Sequence, residues 1–531
     1  MPWPPITMAT QHPDNAGTPW WCQDPFIPTQ DEIDELLLLF QTLPIDEYMW
    51  DWEGKYVDEA VGEKLFGRAA AFFREHPLGE DFYLTYRIPA FWNDGRMHRM
   101  ARAFMNILSL ADFARDIQLV RPPVTEMFLP LVTSAMQPLA VRKAFREVAS
   151  YHRVVFHVDE RRGEELLRHV EVTPLIEDVD SLFTIDAIVK PYWEALLSER
   201  PEMRERGQRV FLARSDPALN SGLVPAVLAV KVALNLCHEV GESLQLPVFP
   251  ILGTGSLPFR GSVNPSYVET FLAQYAGTRT YSIQSAFRYD YPLEDVRTAL
   301  MRIRTEAPER EVVRIGPQER RRLRSLADLF EGVWKPTIEA LAPLINYIAE
   351  YVPARRERLL HIGLFGYSRG VGSVKLPRAI PFTAALYSIG VPPEIIGMGR
   401  GLRGVRFREE LSLLDSYYPA LREDLKHAGK YLNRENLSIL AREGWPAGRS
   451  LGEGRSHAGT SVPASIFQGV QEDVALIEEI LGVTLSPEKS HHLIHRNLTS
   501  TIYQWLRSST TDPAILQRDI VEAGKIRRSL G

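Results

Sequence analysis

Short apolar, β-branched or aromatic runs recur along the chain, and each is followed by a longer segment in which apolar residues fall at helical spacing. That alternation is what βα units around a parallel sheet require, because each crossover must lay a helix back over the strands it connects. Strands are predicted at Phe82–Arg87, Met127–Thr133, Val170–Ile176, Val210–Arg214, Val248–Leu252, Thr280–Gln284 and Leu359–Phe365, and an eighth near Ala379–Phe382 would close a barrel. The stretches around Asp295–Val352 and beyond Arg400 are largely helical in pattern. The expected fold is therefore α/β: a (β/α)8 TIM-type barrel elaborated with many additional α-helices. No Gly/Ser linker, low-complexity tract or fixed-period repeat marks a boundary. Residues 1–531 are expected to form a single barrel domain with helical insertions and a mostly helical C-terminal region.

Composition narrows the class of partner. The 531 residues are 45% hydrophobic and 24% charged, ample for a large core. Lys plus Arg number 61 against 67 for Asp plus Glu, a formal net charge of −6 with no basic lobe, which argues against nucleic acid. Glu319–Arg324 is a run of charges amid leucines and reads as a solvated helix face. Two cysteines, Cys22 and Cys237, exclude a disulfide framework and a four-cysteine metal site and fit a reducing compartment. The opening residues carry prolines and polar groups where a secretory signal needs a basic start and an apolar run. No unbroken apolar stretch approaches the roughly 20 residues needed to cross a bilayer, and even Leu223 to Val230 stops at Lys231. A cytoplasmic protein with no membrane partner is expected.

Several charged residues fall at or just beyond the C-terminal ends of the predicted strands, the face on which barrel enzymes build their sites. Arg87 ends one strand, Glu177 follows Pro174-Leu175-Ile176, Asp216 follows Val210–Arg214 and Ser215, and Arg369 follows Leu359–Phe365. Two carboxylates on neighbouring strand ends, Glu177 and Asp216, suit a hard divalent cation, Mg²⁺ or Mn²⁺, that keeps several waters and takes further ligands from a phosphorylated substrate. Either acid could instead serve structure, Asp216 as a helix N-cap. The surrounding arginines have the planar fork that grips phosphate or carboxylate. Together these groups imply a small substrate carrying both phosphate and carboxylate.

Gly253 to Gly261, with Arg260, is a glycine-rich segment after a strand; it could offer backbone N–H groups and a guanidinium to an anion, or be a plain turn. It is neither a Walker loop nor a dinucleotide fingerprint. His12 lies in a polar segment, Thr10-Gln-His-Pro-Asp-Asn15, without apolar periodicity to explain it as core. His491, His492 and His495 have helical metal-ligand spacing, but no third-ligand motif accompanies them, and a surface helix face is the favoured reading over zinc.

Taken in order, these segments resemble phosphoenolpyruvate carboxylase of the short, archaeal type. Met8-Ala-Thr-Gln-His-Pro-Asp-Asn15 looks like that type's N-terminal signature, Thr173-Pro-Leu-Ile-Glu177 resembles the segment whose glutamate binds metal, and Arg214-Ser-Asp-Pro-Ala-Leu-Asn-Ser-Gly222 resembles the one whose first aspartate is the other ligand. Gly253–Gly261 occupies the place of the catalytic loop. Gly366-Tyr-Ser-Arg369, Leu376-Pro-Arg378-Ala-Ile-Pro381 and Tyr86-Arg87-Ile-Pro89 resemble segments with substrate-binding arginines. The long form's loop histidine and second arginine correspond to Leu252 and Thr254 here, and its lysine after the metal aspartate to Leu219.

The resemblance implies carboxylation of phosphoenolpyruvate by bicarbonate to oxaloacetate and phosphate, through carboxyphosphate and the enolate of pyruvate. It implies His12 and Arg260 as catalytic residues, Arg87, Arg369 and Arg378 as substrate-binding, and Glu177 and Asp216 as ligands to Mg²⁺ or Mn²⁺. A homotetramer and an aspartate or malate effector are common in the family. The alternatives are another Mg-dependent barrel lyase acting on phosphoenolpyruvate or a 2-oxo acid, and a non-catalytic C4-dicarboxylate sensor.

Overall fold

The computed structural model describes residues 3–90, 97–119, 121–156, 170–357, 370–371, 374–405, 408–446, 461–508 and 512–531. Eight parallel strands close into a barrel in sequence order: β1 (Thr7–Thr10), β2 (Glu47–Asp51), β3 (Tyr83–Arg87), β4 (Val124–Leu129), β5 (Glu171–Ile176), β6 (Gln208–Ala213), β7 (Val248–Gly253) and β8 (Thr280–Ile283), with β8 pairing back onto β1. The expected elaborated (β/α)8 barrel is thus observed.

Six predicted strands correspond to β3 through β8 with ends shifted by up to a few residues, the largest shift being Val124–Leu129 against Met127–Thr133. The first two strands lie where no strand was expected. β1 has only four residues, and β2 reads Glu-Tyr-Met-Trp-Asp, with an acid at each end in place of an apolar run. Leu359–Phe365 lies outside the described residues. Ala379–Phe382 is not a strand but the first turn of a helix, Ala379–Ser388. Pro381 sits at its third position, where an α-helix needs no N–H donor, and Thr383-Ala-Ala-Leu carries the helix on. The helix is apolar all round because it is buried, which removes the periodicity that would have revealed it.

Strand side chains alternate between faces, so residues two apart share the barrel interior. Met8, Met49, Phe128, Leu175, Phe211, Ala213 and Ile251 form a separate apolar cluster that fills the middle of the barrel. Two residues back along β2, β4, β5 and β6 stand Glu47, Glu126, Thr173 and Arg209, which close the N-terminal end. Two residues forward along β1, β2 and β5 stand Thr10, Asp51 and Glu177, at the C-terminal end. The outer wall carries the main apolar core. Its helix Leu223–Leu244 is long and apolar enough to span a bilayer, but it is mostly buried inside the protein. Lys231 within it is itself buried, which pushes its amine down to about 8. Helix Pro317–Ala349 packs along it and extends to Ala379–Ser388, which in turn touches the helices Ser490–Arg507 and Pro513–Arg527. The Glu319–Arg324 charges face outward or into ion pairs, Arg320 with Glu239 and Arg324 with Asp180 and Asp328.

The histidines of the Ser490–Arg507 helix are a partial surprise. His492 and His495 are buried: His492 Nδ1 accepts from the amides of Glu488 and Lys489 at the helix start, and His495 Nε2 lies 2.7 Å from Arg527 Nη1. Burial pushes the His492 ring down to about 4. Both rings act as neutral packing and hydrogen-bonding groups, not as an exposed face.

Candidate active site

A cleft opens at the C-terminal end of the barrel, lined by His12, Arg87, Glu177, Asp216, Arg260 and Arg378 together with Thr10, Ser282 and Gln284. Six of the seven predicted site residues therefore meet in one place; Arg369 lies outside the described residues. Glu177 directly follows β5, and its Oε2 accepts the Leu131 amide at 2.8 Å, which fixes the carboxylate at the rim. Asp216 lies in the first turn of helix Ser215–Ser221 after β6. It is not the N-cap that was an alternative reading, since Arg214 holds that position and no side chain caps the helix. β5 and β6 are hydrogen-bonded neighbours, so both carboxylates rise from adjacent strand ends into the same cleft. Among the described residues there is no group of three or more His, Cys, Asp or Glu able to hold a metal. Two acids without nitrogen or sulfur partners are a donor set for a hard, partly hydrated cation rather than for zinc.

The arginines are held differently from one another. Arg87, at the end of β3, commits Nε and Nη2 to Asp51 at 2.9 and 2.6 Å, with Glu53 3.3 Å from Nε. Burial works against its charge, but Asp51, Glu53 and Glu177 outweigh burial and hold the guanidinium above its usual value. Burial alone would raise the Asp51 carboxyl; Arg87, with contributions from His12 and the Gly54 amide, instead holds it well below the usual carboxylate range. Among the described residues no acceptor meets its Nη1 side, which is what Arg87 can offer a ligand. Gly54 lies against this pair: a Cβ there would come within 2.7 Å of Asp51, 3.2 Å of Arg378 Nη1 and 3.3 Å of Arg87 Nη2, so the Arg87 and Arg378 guanidiniums flank one glycine.

Arg260 is 2% exposed and sits over the glycine-rich loop, where a Cβ at Gly255 would meet its Cζ at 2.6 Å. Its Nη1 donates to Asp14 Oδ2 at 3.1 Å and to the Gly531 main-chain oxygen at 2.7 Å, and Nη2 to Gln284 Oε1 at 2.6 Å. The loop is more than a plain turn. The amides of Thr254, Gly255 and Phe259 to Val263 are all taken by protein acceptors, so it presents a guanidinium and not a nest of N–H groups. Two buried acids brace it from behind: Glu394 accepts the Phe259 amide and the Tyr387 hydroxyl, and Asp424 accepts the Ser262 and Tyr418 hydroxyls. Burial pushes the Glu394 carboxyl up to about 7 and the Asp424 carboxyl up to about 6.

His12 stands two residues beyond β1, with Nδ1 2.9 Å from Thr10 Oγ1. The backbone behind it is anchored: both Nη groups of Arg288 donate to the Thr10 carbonyl at 3.1 Å, and Gln11 receives the Asp51 amide while donating to Glu32. The polar segment that carries His12 is thus the continuation of a barrel strand.

The family model for phosphoenolpyruvate carboxylase matches residues 5–531. Among curated proteins, the phosphoenolpyruvate carboxylase of Pyrococcus horikoshii is 39% identical over 81% of this chain and 88% of its own length. That of Metallosphaera sedula is 35% identical over 97% and 99%, and that of Leuconostoc mesenteroides 33% over 99% of each. The chain belongs to the phosphoenolpyruvate carboxylase family. Archaeal members among these relatives bear out the resemblance to the short type, and the chain is an enzyme of that family.

In this phosphoenolpyruvate carboxylase family member, residues that the sequence did not single out line the cleft, as Thr10 and Gln284 do, or stand behind it, as Asp51 does through Arg87. Asp51 was missed because its strand was missed; the alternation Glu47-x-Met49-x-Asp51 on a barrel-facing side is the signal that could have found it. Thr10 and Gln284 act by holding His12 and Arg260, and nothing in their local sequence distinguishes them from ordinary polar residues.

Proposed function

We propose that the chain carboxylates phosphoenolpyruvate with bicarbonate, giving oxaloacetate and phosphate. The observation that carries the reading is the meeting of Glu177 and Asp216 with Arg87, Arg260, Arg378 and His12 in one cleft of a family member's barrel. Family membership supplies the substrates, and the donor set suits Mg²⁺ or Mn²⁺ held by Glu177 and Asp216. Bound there, such an ion would supply Lewis-acid neutralisation of charge on substrate oxygens.

The chain's own residues then have distinct tasks. Arg378 and the Nη1 side of Arg87 orient the anionic substrate, and Arg369 joins them by its motif. A bicarbonate oxygen attacks phosphorus as the bond from phosphorus to the enol oxygen breaks, leaving carboxyphosphate and the enolate. Arg260, preorganised by Asp14 and Gln284, stabilises the charge that shifts during this transfer. With Nδ1 donating to Thr10, His12 takes the carboxyphosphate proton at Nε2, releasing CO₂ and phosphate, and returns that proton to phosphate. The enolate carbon then attacks CO₂. To the same proposal belong a single catalytic domain, a cytoplasmic homotetramer, and response to aspartate or malate, all resting on the family alone. The test is oxaloacetate formation by the purified enzyme, which should require both bicarbonate and a divalent cation. A carbon–carbon lyase acting on phosphoenolpyruvate or a 2-oxo acid would show no bicarbonate-dependent phosphate release.

A further inference from the structure

A second cavity, of about 310 Å³, lies away from the barrel cleft, between the turn after His12 and the helix Pro513–Arg527. That helix presents Ala514, Gln517, Arg518, Val521 and Lys525 to it, a single face by their spacing, while Arg355 enters from the opposite side. Three cationic side chains line the cavity, and among the described residues no acid does.

Arg355 is the informative one. It is 5% exposed and forms no ion pair among the described residues. Its Nε donates to the Asn15 carbonyl at 3.1 Å and its Nη2 to the Ala16 carbonyl at 2.8 Å. A guanidinium has five N–H donors, and among the described residues no protein acceptor meets Nη1. Burial of a guanidinium without a carboxylate partner is costly, and burial here outweighs the distant charges of Asp290 and Asp24, so the group is pushed below its usual value. Asp290 is directed elsewhere: it accepts the amides of Ala16 and Gly17. Among the described residues the rim cations have only exposed or adjacent partners, Lys525 with Glu522 and Arg518 with its neighbour Asp519.

We propose that this cavity binds a small dianion, a phosphate or a short dicarboxylate, gripped by Arg355 from within and by Arg518 and Lys525 at the rim. Its volume is far above what a single water needs, enough for such a molecule. Occupancy would touch the site already described, because Arg355 holds the carbonyls of the turn that follows His12 and Asp14, while Leu530 and Ser529, just beyond the helix, bond the Asp14 carbonyl. The proposal does not depend on which reaction the barrel catalyses.

The experiment is calorimetric titration of the full chain at fixed ionic strength with inorganic phosphate, with succinate, and with acetate as a monoanion control. Phosphate or succinate should bind saturably and acetate should not, and the tighter of the two names the ligand class. Arg518 and Lys525 are exposed and outside the barrel cleft, so the double variant R518Q/K525Q should keep its basal turnover and melting temperature while its Kd for the dianion rises at least roughly tenfold. Arg260→Gln, which alters the barrel cleft, should leave this binding in place. An unchanged Kd in R518Q/K525Q, complete loss of dianion binding in Arg260→Gln, or no saturable binding in any arm would overturn the assignment.

Discussion

The two ends of the barrel use the same residue types to opposite effect. At the N-terminal end, Arg209 bonds Glu126 at 2.6 Å and Glu47 at 2.7 Å, with Thr85 completing Glu47, and every one of these side chains is essentially inaccessible. Burial works against the Arg209 charge, but the two glutamates outweigh it; for Glu47, burial together with Glu126 outweighs Arg209 and raises the carboxyl. Trp3 closes this end, its ring within 5.5 Å of the Arg209 guanidinium. At the C-terminal end, four residues further along the same strands, Asp51 replaces Glu47 and Glu177 replaces Thr173; Asp51 is buried behind Arg87, while Arg87 and Glu177 line an open cleft. The lesson is that an arginine and an acid inside a barrel signify nothing by type. What separates a plug from a site is whether the charges are compensated in the sealed interior or left facing a space that a ligand can enter.

This contrast can be broken first at Glu177. Glu177→Ala should reduce turnover by at least about 10³-fold, the upper range for losing one preorganised charge-stabilising group, while the melting temperature stays near that of the parent. Loss of divalent-cation binding, followed with Mn²⁺ by electron paramagnetic resonance, checks the cause independently of activity. A variant that keeps both cation binding and turnover removes Glu177 from the site.

Arg260 blurs the contrast, since it lies at the open end yet is almost wholly buried. Its removal by Arg260→Ala should lower kcat by about 10²- to 10³-fold and also destabilise the fold, because Asp14 loses its ion-pair partner. Burial already raises the Asp14 carboxyl against the pull of Arg260. A slowed enzyme with unaltered stability would show that Asp14 is compensated elsewhere.

At the sealed end the expectation reverses. Arg209→Met should cost about 3–5 kcal/mol of stability by stranding two buried glutamates, with turnover per folded molecule little changed. Chemical denaturation alongside active-site-normalised kinetics separates these effects. A stable but inactive variant would move Arg209 into the catalytic machinery.

The smallest effect concerns Glu394 behind the Arg260 loop. Its carboxyl is raised from the ordinary range to about 7, so the folded protein keeps a proton that the unfolded chain releases. Stability from this group is present at acid pH and is lost as pH rises through that window to about 7. Both of its hydrogen bonds fall on Oε1, which Glu394→Gln can keep as a carbonyl. The variant should match the parent near pH 4.5 and exceed it by on the order of 1–3 kcal/mol at pH 8, read from denaturation curves at both pH values.

Much of this is legible in the sequence, and the exceptions have physical causes. Strands β3 to β8 announced themselves because they are apolar enough to be seen as runs, and Glu177, Asp216 and Arg87 because they sit at the ends of those runs. β1 was invisible because it has only four residues, two of them threonine, and β2 because the plug places charge inside the barrel: Glu47 and Asp51 both point inward, so β2 shows polar residues where a buried strand is expected to show apolar ones. The same blindness hid Asp51 and left His12 in a polar segment with no visible strand before it. Ala379–Phe382 failed for the opposite reason, being so thoroughly buried that helix and strand look alike. The support given to Arg260 by Asp14, Gln284, Glu394 and Asp424 joins residues far apart in the chain, and no local pattern encodes it.

The most direct test of the central claim, that the open end carries out carboxylation by way of carboxyphosphate, is to run the enzyme with ¹⁸O-labelled bicarbonate and weigh the phosphate released. Attack of a bicarbonate oxygen on phosphorus predicts one labelled oxygen in each phosphate, with the other two passing to oxaloacetate. Unlabelled phosphate accompanied by labelled oxaloacetate would contradict it, because phosphorus would then never have bonded to bicarbonate.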